Sequence, residues 1–286
     1  MSTTGLNICL AGAILFSCVT AYANSNPPAQ PAQSEVTDGQ TEPVESPAEN
    51  QAQATDADSA ALEGILSKMH EATQKLRSVQ GDISHLKIED PGLLDSRILR
   101  TGKLYYLKTD DRSYLRVHFQ DLKQDDFEAE ARRDDYLFDG VWLTRIDYKL
   151  EQIDMFQQAP EDKPADVFEL IRHNFPLIGF NDIKALKEDF EITLAQTPDD
   201  PKDTVRLLLT TRSESPFSEE YNRIDFWIDN STYMPSRIRA HNVQGDIHDI
   251  QFSTLKINKN LEKAVFTVEK PAGFRKNIEP LKSTRK

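Results

Sequence analysis

From Arg97 to Ile257 the chain repeats one device. Short runs rich in alternating apolar, β-branched and aromatic residues are broken by turns that carry aspartate or glycine. Ser113 to Phe119 sets Tyr114, Arg116 and His118 against Leu115, Val117 and Phe119. Arg97 to Leu107, Phe190 to Ala195, Thr204 to Thr210, Arg223 to Ile228, Met234 to Asn242 and His248 to Ile257 are further strand candidates, and Val265 to Val268 is a short last one. Asp110-Asp111, Asp125-Asp126 and Asp134-Asp135 mark expected gaps, because an aspartate side chain bonds readily to nearby backbone N–H groups. Tyr136 to Trp142 reads as a hairpin closed by Asp139-Gly140. Leu143 to Phe156 supplies another strand and a second one beyond Lys149-Leu150-Glu151. A chain patterned this way is committed to a large antiparallel sheet, and such a sheet must bury one face.

The cover for that face has few sources. Leu62, Ile65, Leu66, Met69, Ala72, Leu76 and Val79 recur at helical spacing opposite Glu63, Lys68, Glu71, Gln74 and Lys75. The spacing predicts an amphipathic helix capped by Asp58 or Ser59 and ended near Gly81. A second, shorter helix is expected over Pro164 to Phe175, and one or two helical turns over Asp182 to Asp189. The end from Asn277 to Lys286 reads as loose. Two substantial helices can cover part of a strongly curved sheet and leave space between the layers, although the same pattern also permits a fully packed α+β core.

The first 60 residues take no part in that core. Ile8 to Val19 is apolar but too short to span a bilayer, and Ala21-Tyr22-Ala23 is a small-x-small cleavage pattern, so residues 1–23 read as a secretory signal peptide. Leu15-Phe16-Ser17-Cys18 is a second reading of the same stretch: a degraded lipobox in which Cys18 carries lipid. Residues 24–60 hold five prolines, seven acids, no aromatic residue and no Lys or Arg, and are read as a disordered acidic linker. The full chain has 34 bases against 47 acids, and removing those seven acids changes the balance from −13 to −6. The acidic balance argues against nucleic acid or an anionic bilayer as a partner held by charge. Cys9 and Cys18 are the two cysteines, so the rest of the chain has no disulfide, thiol nucleophile or thiolate metal site.

Several phrases, in order, resemble one family. They are Arg100-Thr101-Gly102-Lys103-Leu104-Tyr105-Tyr106-Leu107, Asp135 to Leu143, Ile146-Asp147-Tyr148 with Gln152-Ile153, Ile224 to Asp229, Pro235-Ser236-Arg237-Ile238, Asn242 to Ile250, and Phe266 with Pro271-Ala272-Gly273-Phe274. Together they are similar to the bacterial periplasmic carriers of outer-membrane lipoproteins, the LolA-like superfamily, over residues 61–278, with 279–286 as a tail.

The resemblance implies an α+β, mainly β fold: a strongly curved antiparallel sheet, an unclosed half-barrel, wrapped over helices. It further implies an apolar cavity that takes the acyl chains of a lipoprotein or another lipid, a periplasmic location, a monomer, no cofactor, and exchange with an envelope membrane protein as donor or acceptor. Lys108-Thr109 stands where the carriers have an Arg-Pro pair whose arginine helps keep the empty cavity closed. Candidate cavity residues are Leu104, Tyr106, Leu115, Val117, Phe119, Leu137, Trp142, Phe226 and Ile228; for each, ordinary core packing is the alternative. Phe168, Ile171, Phe175, Leu177, Ile178 and Phe180, around the stretch bounded by Pro176 and Gly179, are the candidates for a movable cover.

Two other function classes compete with a carrier. One is a lipid or lipoprotein sensor in the envelope, which would act through a partner. The other is a secreted enzyme. His70, His85, His118, His173, His241 and His248 form no H-E-x-x-H, and no G-x-S-x-G occurs. A metal triad from His241, His248 and Asp246 or Asp249 competes with a plain polar hairpin around Gly245. Asp225 and Asp229 share a strand face about 13 Å apart, too far for paired-carboxylate chemistry, and read as a solvated face.

Overall fold

The structure is a computed structural model that describes residues 56–168 and 183–281. Twelve strands form one sheet: β1 (Ser78–Glu89), β2 (Ser96–Lys108), β3 (Ser113–Gln124), β4 (Glu130–Phe138), β5 (Trp142–Asp147), β6 (Gln152–Gln157), β7 (Phe190–Leu194), β8 (Thr204–Thr211), β9 (Tyr221–Asp229), β10 (Pro235–Asn242), β11 (Ile247–Ile257) and β12 (Arg275–Glu279). Their order is β12-β6-β5-β4-β3-β2-β1-β11-β10-β9-β8-β7. Neighbours run antiparallel except β12, which lies parallel to β6. The sheet curves without closing, so β12 and β7 are its two edges. Among the described residues the complete helices are α1 (Asp56–Gln74) and α2 (Ile183–Asp189), with a 3₁₀ turn at Lys263–Phe266. No helix among the described residues is long and apolar enough to cross a membrane.

The bend has a local cause. Gly81 on β1 and Gly102 on β2 share one face of the sheet and lie where the ladders slip. A Cβ at Gly102 would sit 2.0 Å from the carbonyl oxygen of His118, and one at Gly81 would sit 2.8 Å from that of Ser253. Thr254, opposite the β1 slip, has φ 52°. Backbone therefore approaches backbone on the inner face, which only glycine allows, and bulges of this kind sharpen curvature.

Leu62, Ile65, Leu66, Met69 and Thr73 line the inward stripe of α1, with Leu66 and Met69 fully buried. The helix stops at Gln74 rather than near Gly81; Val79 is buried as part of β1. It also starts at Asp56, inside the stretch expected as linker. Asp134-Asp135 is not a gap but the middle of β4, with both side chains buried. The short strand expected at Val265 to Val268 is instead a 3₁₀ turn running into extended chain, and the end expected as loose contributes β12.

The outer face carries its own small cover. Ile146 and Ile153 are fully buried yet lie outside the main core cluster. The segment after β11 runs over this side: Phe266 packs on Tyr114 at 5.5 Å, Phe274 on Tyr148 at 5.9 Å, and Arg116 donates to the Val265 carbonyl oxygen at 2.8 Å.

Candidate functional site

Cross-strand register assigns every strand residue to a face. On the inner face, Val79, Gly81, Ile83 and His85 of β1 pair with Tyr106, Leu104, Gly102 and Arg100 of β2. Tyr106, Leu104 and Gly102 pair in turn with Leu115, Val117 and Phe119, which face Phe138, Tyr136 and Asp134. On the other flank, Ile250 pairs with Ile238, Ile238 with Phe226, and Phe226 with Leu207. Nearly all the apolar members form one continuous buried cluster with Leu66 and Met69 of α1.

Leu104, Tyr106, Leu115, Val117, Phe119, Phe226 and Ile228 thus share the inner face. Phe226 and Ile228 lie several strands away from the rest, on β9. Leu137 and Trp142 do not join them. Leu137 pairs with Arg116 and Thr144, and Trp142 with Gln157, all on the outer face. The Trp142 indole donates to Glu161 at 2.8 Å. Their odd-even positions in a hairpin flip at the Asp139-Gly140 turn, so adjacency in sequence misplaced them. Of the cover candidates, Phe168 is buried against Tyr106, ring centroids 5.2 Å apart. Ile171, Phe175, Leu177, Ile178 and Phe180 lie outside the described residues.

The inner face is not apolar throughout. Toward the β1–β2, β3–β4 and β5–β6 turns it becomes ionic. Arg100 lies 3.9 Å from Asp134, Arg132 is 3.9 Å from Asp134 and 3.3 Å from Asp147, and Arg145 is 3.4 Å from Asp147. The Arg100 guanidinium also lies over the Phe119 ring at 5.7 Å, and that of Arg145 over Tyr136 at 5.9 Å. Neither oxygen of buried Asp134 accepts a hydrogen bond among the described residues. Burial raises its carboxyl above the ordinary value, against the pull of Arg100. The signal for this cluster was present in the alternation. Asp134 has the parity of Tyr136 and Phe138, Asp147 that of Leu143, and Arg100 that of Leu104 and Tyr106.

His85 and His248 meet at the same end, Nε2 to Nδ1 at 3.1 Å, with rings stacked at 5.4 Å. Burial, then the nearby Arg100 and Lys87 charges, pushes His85 down to about 3; burial also depresses His248, followed by the charge of its partner. The metal triad weighed for His248 does not assemble. His248 turns inward while Asp249 turns outward, to Arg237 and Arg239. Among the described residues no group of three or more His, Cys, Asp or Glu is placed to hold a metal.

On the outer face Asp225 is fully buried rather than solvated. Arg206 donates to it at 2.6 Å, and Arg223 lies 3.2 Å away. Arg206, Arg237 and Arg239 ring the face of Trp227 at 5.1, 4.7 and 5.8 Å. Asp229 has another task, capping the β9–β10 turn through Ser231 and Thr232. This is an ion and stacking ladder across neighbouring strands.

No family model matches the chain. No curated protein sequence matches it. Solved structures do match in arrangement. An uncharacterized conserved protein from Thermus thermophilus is 12% identical, with 77% of this chain and 99% of that chain covered and a TM-score of 0.45. The lipoprotein LppX of Mycobacterium tuberculosis is 13% identical, with 71% and 98% covered and a TM-score of 0.43. A LolA superfamily protein from Nitrosomonas europaea is 15% identical, with 72% and 97% covered and a TM-score of 0.32. The chain is similar in fold to LolA-superfamily proteins. Likeness at these values concerns the fold alone.

Proposed function

We propose that the chain binds acyl chains, those of a lipid-modified protein or a related lipid, against its inner face and carries them through the cell envelope. One observation supports this reading most. The inner face is a continuous apolar surface over the central strands, yet Leu104, Phe252, Leu255 and Ile257 beside Gly81 remain partly exposed, while the two described helices contact the edge strand β7. Leu104, Tyr106, Leu115, Val117 and Phe119 form the wall on one side of this region, and Phe226 and Ile228 the wall across it. Removing an acyl chain from water contributes about 0.8 kcal/mol per methylene, which is why such chains need a protein host to cross an aqueous space.

The test is a binding series with one peptide carrying no acyl group or acyl chains of increasing length. Four added methylenes strengthen binding by about 3 kcal/mol, or roughly 200-fold. Leu104→Glu weakens the acylated peptide with the circular dichroism spectrum unchanged. Equal affinity for acylated and bare peptide ends the proposal. Movement of the acylated peptide to acceptor vesicles separates a carrier from a sensor.

A further inference from the structure

Four hairpin turns at one end of the sheet share a property unrelated to the inner face. Each of these four carries a large apolar side chain in solvent: Leu93 (81% exposed) and Leu94 (67%) between β1 and β2, Phe127 (72%) between β3 and β4, Leu150 (56%) between β5 and β6, and Val243 (40%) between β10 and β11. Monomeric proteins scatter such residues singly, so a row of them on adjacent turns points to an interaction.

The strand order puts these turns side by side, and bonds tie them together. The Asp90 N–H donates to Asp246 at 3.2 Å, joining the β1–β2 and β10–β11 turns. The Asp125 N–H donates to the Arg97 carbonyl oxygen at 2.7 Å, and the Arg97 N–H donates back to the Asp125 carboxylate at 2.6 Å. Lys149 reaches Glu130 at 3.6 Å. Within the first turn, the N–H groups of Leu93 and Leu94 both bond to the Asp90 carbonyl oxygen at 2.9 Å. The apolar tips are therefore presented on a fixed frame and need no ordering on binding.

Charge selects the occupant. Residues 89–95 and 125–130 hold seven acids (Glu89, Asp90, Asp95, Asp125, Asp126, Glu128 and Glu130) and no base. Lys87 and Arg97 flank them and pair with Glu89 and Asp95; Asp126 and Glu128 bracket Phe127 directly. An anionic bilayer is repelled by such an edge, and so is a second copy that would bring the same acids against themselves.

We propose that these turns form a docking edge for a protein partner whose surface offers an apolar groove rimmed by lysine or arginine. Phe127, Leu93 and Leu94 enter the groove, and the acids around them meet the basic rim.

The test uses the full chain with two amphipathic helical peptides, one of leucine and lysine and one of leucine and glutamate. The lysine peptide binds, more weakly as salt is raised, and the glutamate peptide does not. The double variant Leu94→Ser, Phe127→Ser keeps every charge and loses about tenfold or more in affinity for the lysine peptide. Unchanged binding by the double variant overturns the proposal, since charge elsewhere would then explain the contact. Binding to phosphatidylcholine vesicles that the double variant loses overturns it in favour of a membrane. Self-association that the double variant loses overturns it in favour of a second copy.

Discussion

Asp134 and Asp135 are neighbours on β4, both fully buried, and they face opposite sides of the sheet. Replacing each by asparagine should have opposite consequences. Asp135 accepts from Arg116 at 2.8 Å, from His118 at 3.0 Å and from the Tyr148 hydroxyl at 3.1 Å, with Arg133 3.6 Å away. Burial pulls its carboxyl upward, but the His118 and Arg116 contacts outweigh burial and hold it below the ordinary value. Asp135→Asn strands two arginines around a neutral amide, and breaking a buried pair costs about 3–5 kcal/mol. Asparagine retains part of the hydrogen bonding, so the lower figure of about 3 kcal/mol is expected. For a domain of this size that lowers Tm by about 6–12 °C. Asp134 has no hydrogen bond to lose among the described residues, and burial already disfavours its charged form. Asp134→Asn mimics that neutral form and should change stability by less than about 1 kcal/mol at pH 7, in the stabilising direction. The Asp135 contribution is present above the ordinary carboxyl value of 3.8 and is lost as pH falls through its depressed value. The small Asp134 penalty disappears as pH falls through its raised value, so the two variants diverge from wild type in opposite senses. Urea unfolding at pH 7 compares the two variants, the Asp134 effect is followed down to pH 4, and the Asp135 effect is followed below pH 3.8. If Asp134→Asn costs as much as Asp135→Asn, the distinction drawn between the two faces is wrong.

Gly102→Ala forces a Cβ to within 2.0 Å of a backbone oxygen on β3 and should cost about 3 kcal/mol or more, whereas Gly64→Ala on exposed α1, with nothing within 4 Å, should stabilise by about 0.5–1 kcal/mol; denaturation midpoints decide, and a tolerated Gly102→Ala would remove the account of the bend. His85 and His248 are held neutral in the fold, so below the ordinary value of 6.5 the unfolded chain takes up protons that the fold refuses. Stability should then fall by about 1.4 kcal/mol per pH unit for each histidine, and His85→Leu with His248→Leu should flatten the profile between pH 6.5 and pH 4; an unaltered slope would contradict the buried, neutral pair.

The strands were legible because a period of two is written directly in the residues, as in Ser113 to Phe119 and in the Asp139-Gly140 hairpin. Asp139 there accepts from the N–H groups of Val141 and Trp142 at 2.9 and 2.7 Å, as that turn chemistry requires. Aspartate misled where burial overrode its turn preference: Asp134-Asp135 reads as a break, but Arg100, Arg116 and His118 on other strands, with Arg132 and Arg133 on β4 itself, allow both carboxylates inside a strand. Arg100, Arg116 and His118 are distant in sequence, and pairing between strands is not encoded in any local run. The end of α1 was misread for a related reason, since Val79 continues a helical spacing by chance while its burial comes from β2 and β11. The inner-face residues were legible one strand at a time. Leu137 and Trp142 went astray because the face of a strand is fixed by its register against its neighbour.

Twelve strands about 4.8 Å apart make a sheet roughly 50 Å across. The 19 residues of α1 make a helix only about 28 Å long, and α2 has 7 residues. On a flat sheet of that width these two described helices would reach only part of the apolar face. Curvature at Gly81 and Gly102 folds the face toward itself, so that Phe226 and Ile228 on one flank and Val117 and Phe119 on the other turn inward together. The residues that stay partly open, Leu104, Phe252 and Leu255, lie on the strands nearest the bend. Under the proposed function, that is where an acyl chain adds apolar contact the described helices do not supply. On that same proposal the ionic end, with Arg100 and Arg145 over Phe119 and Tyr136, would set the direction, the tail toward the β2–β3 turn and the polar head toward the arginines.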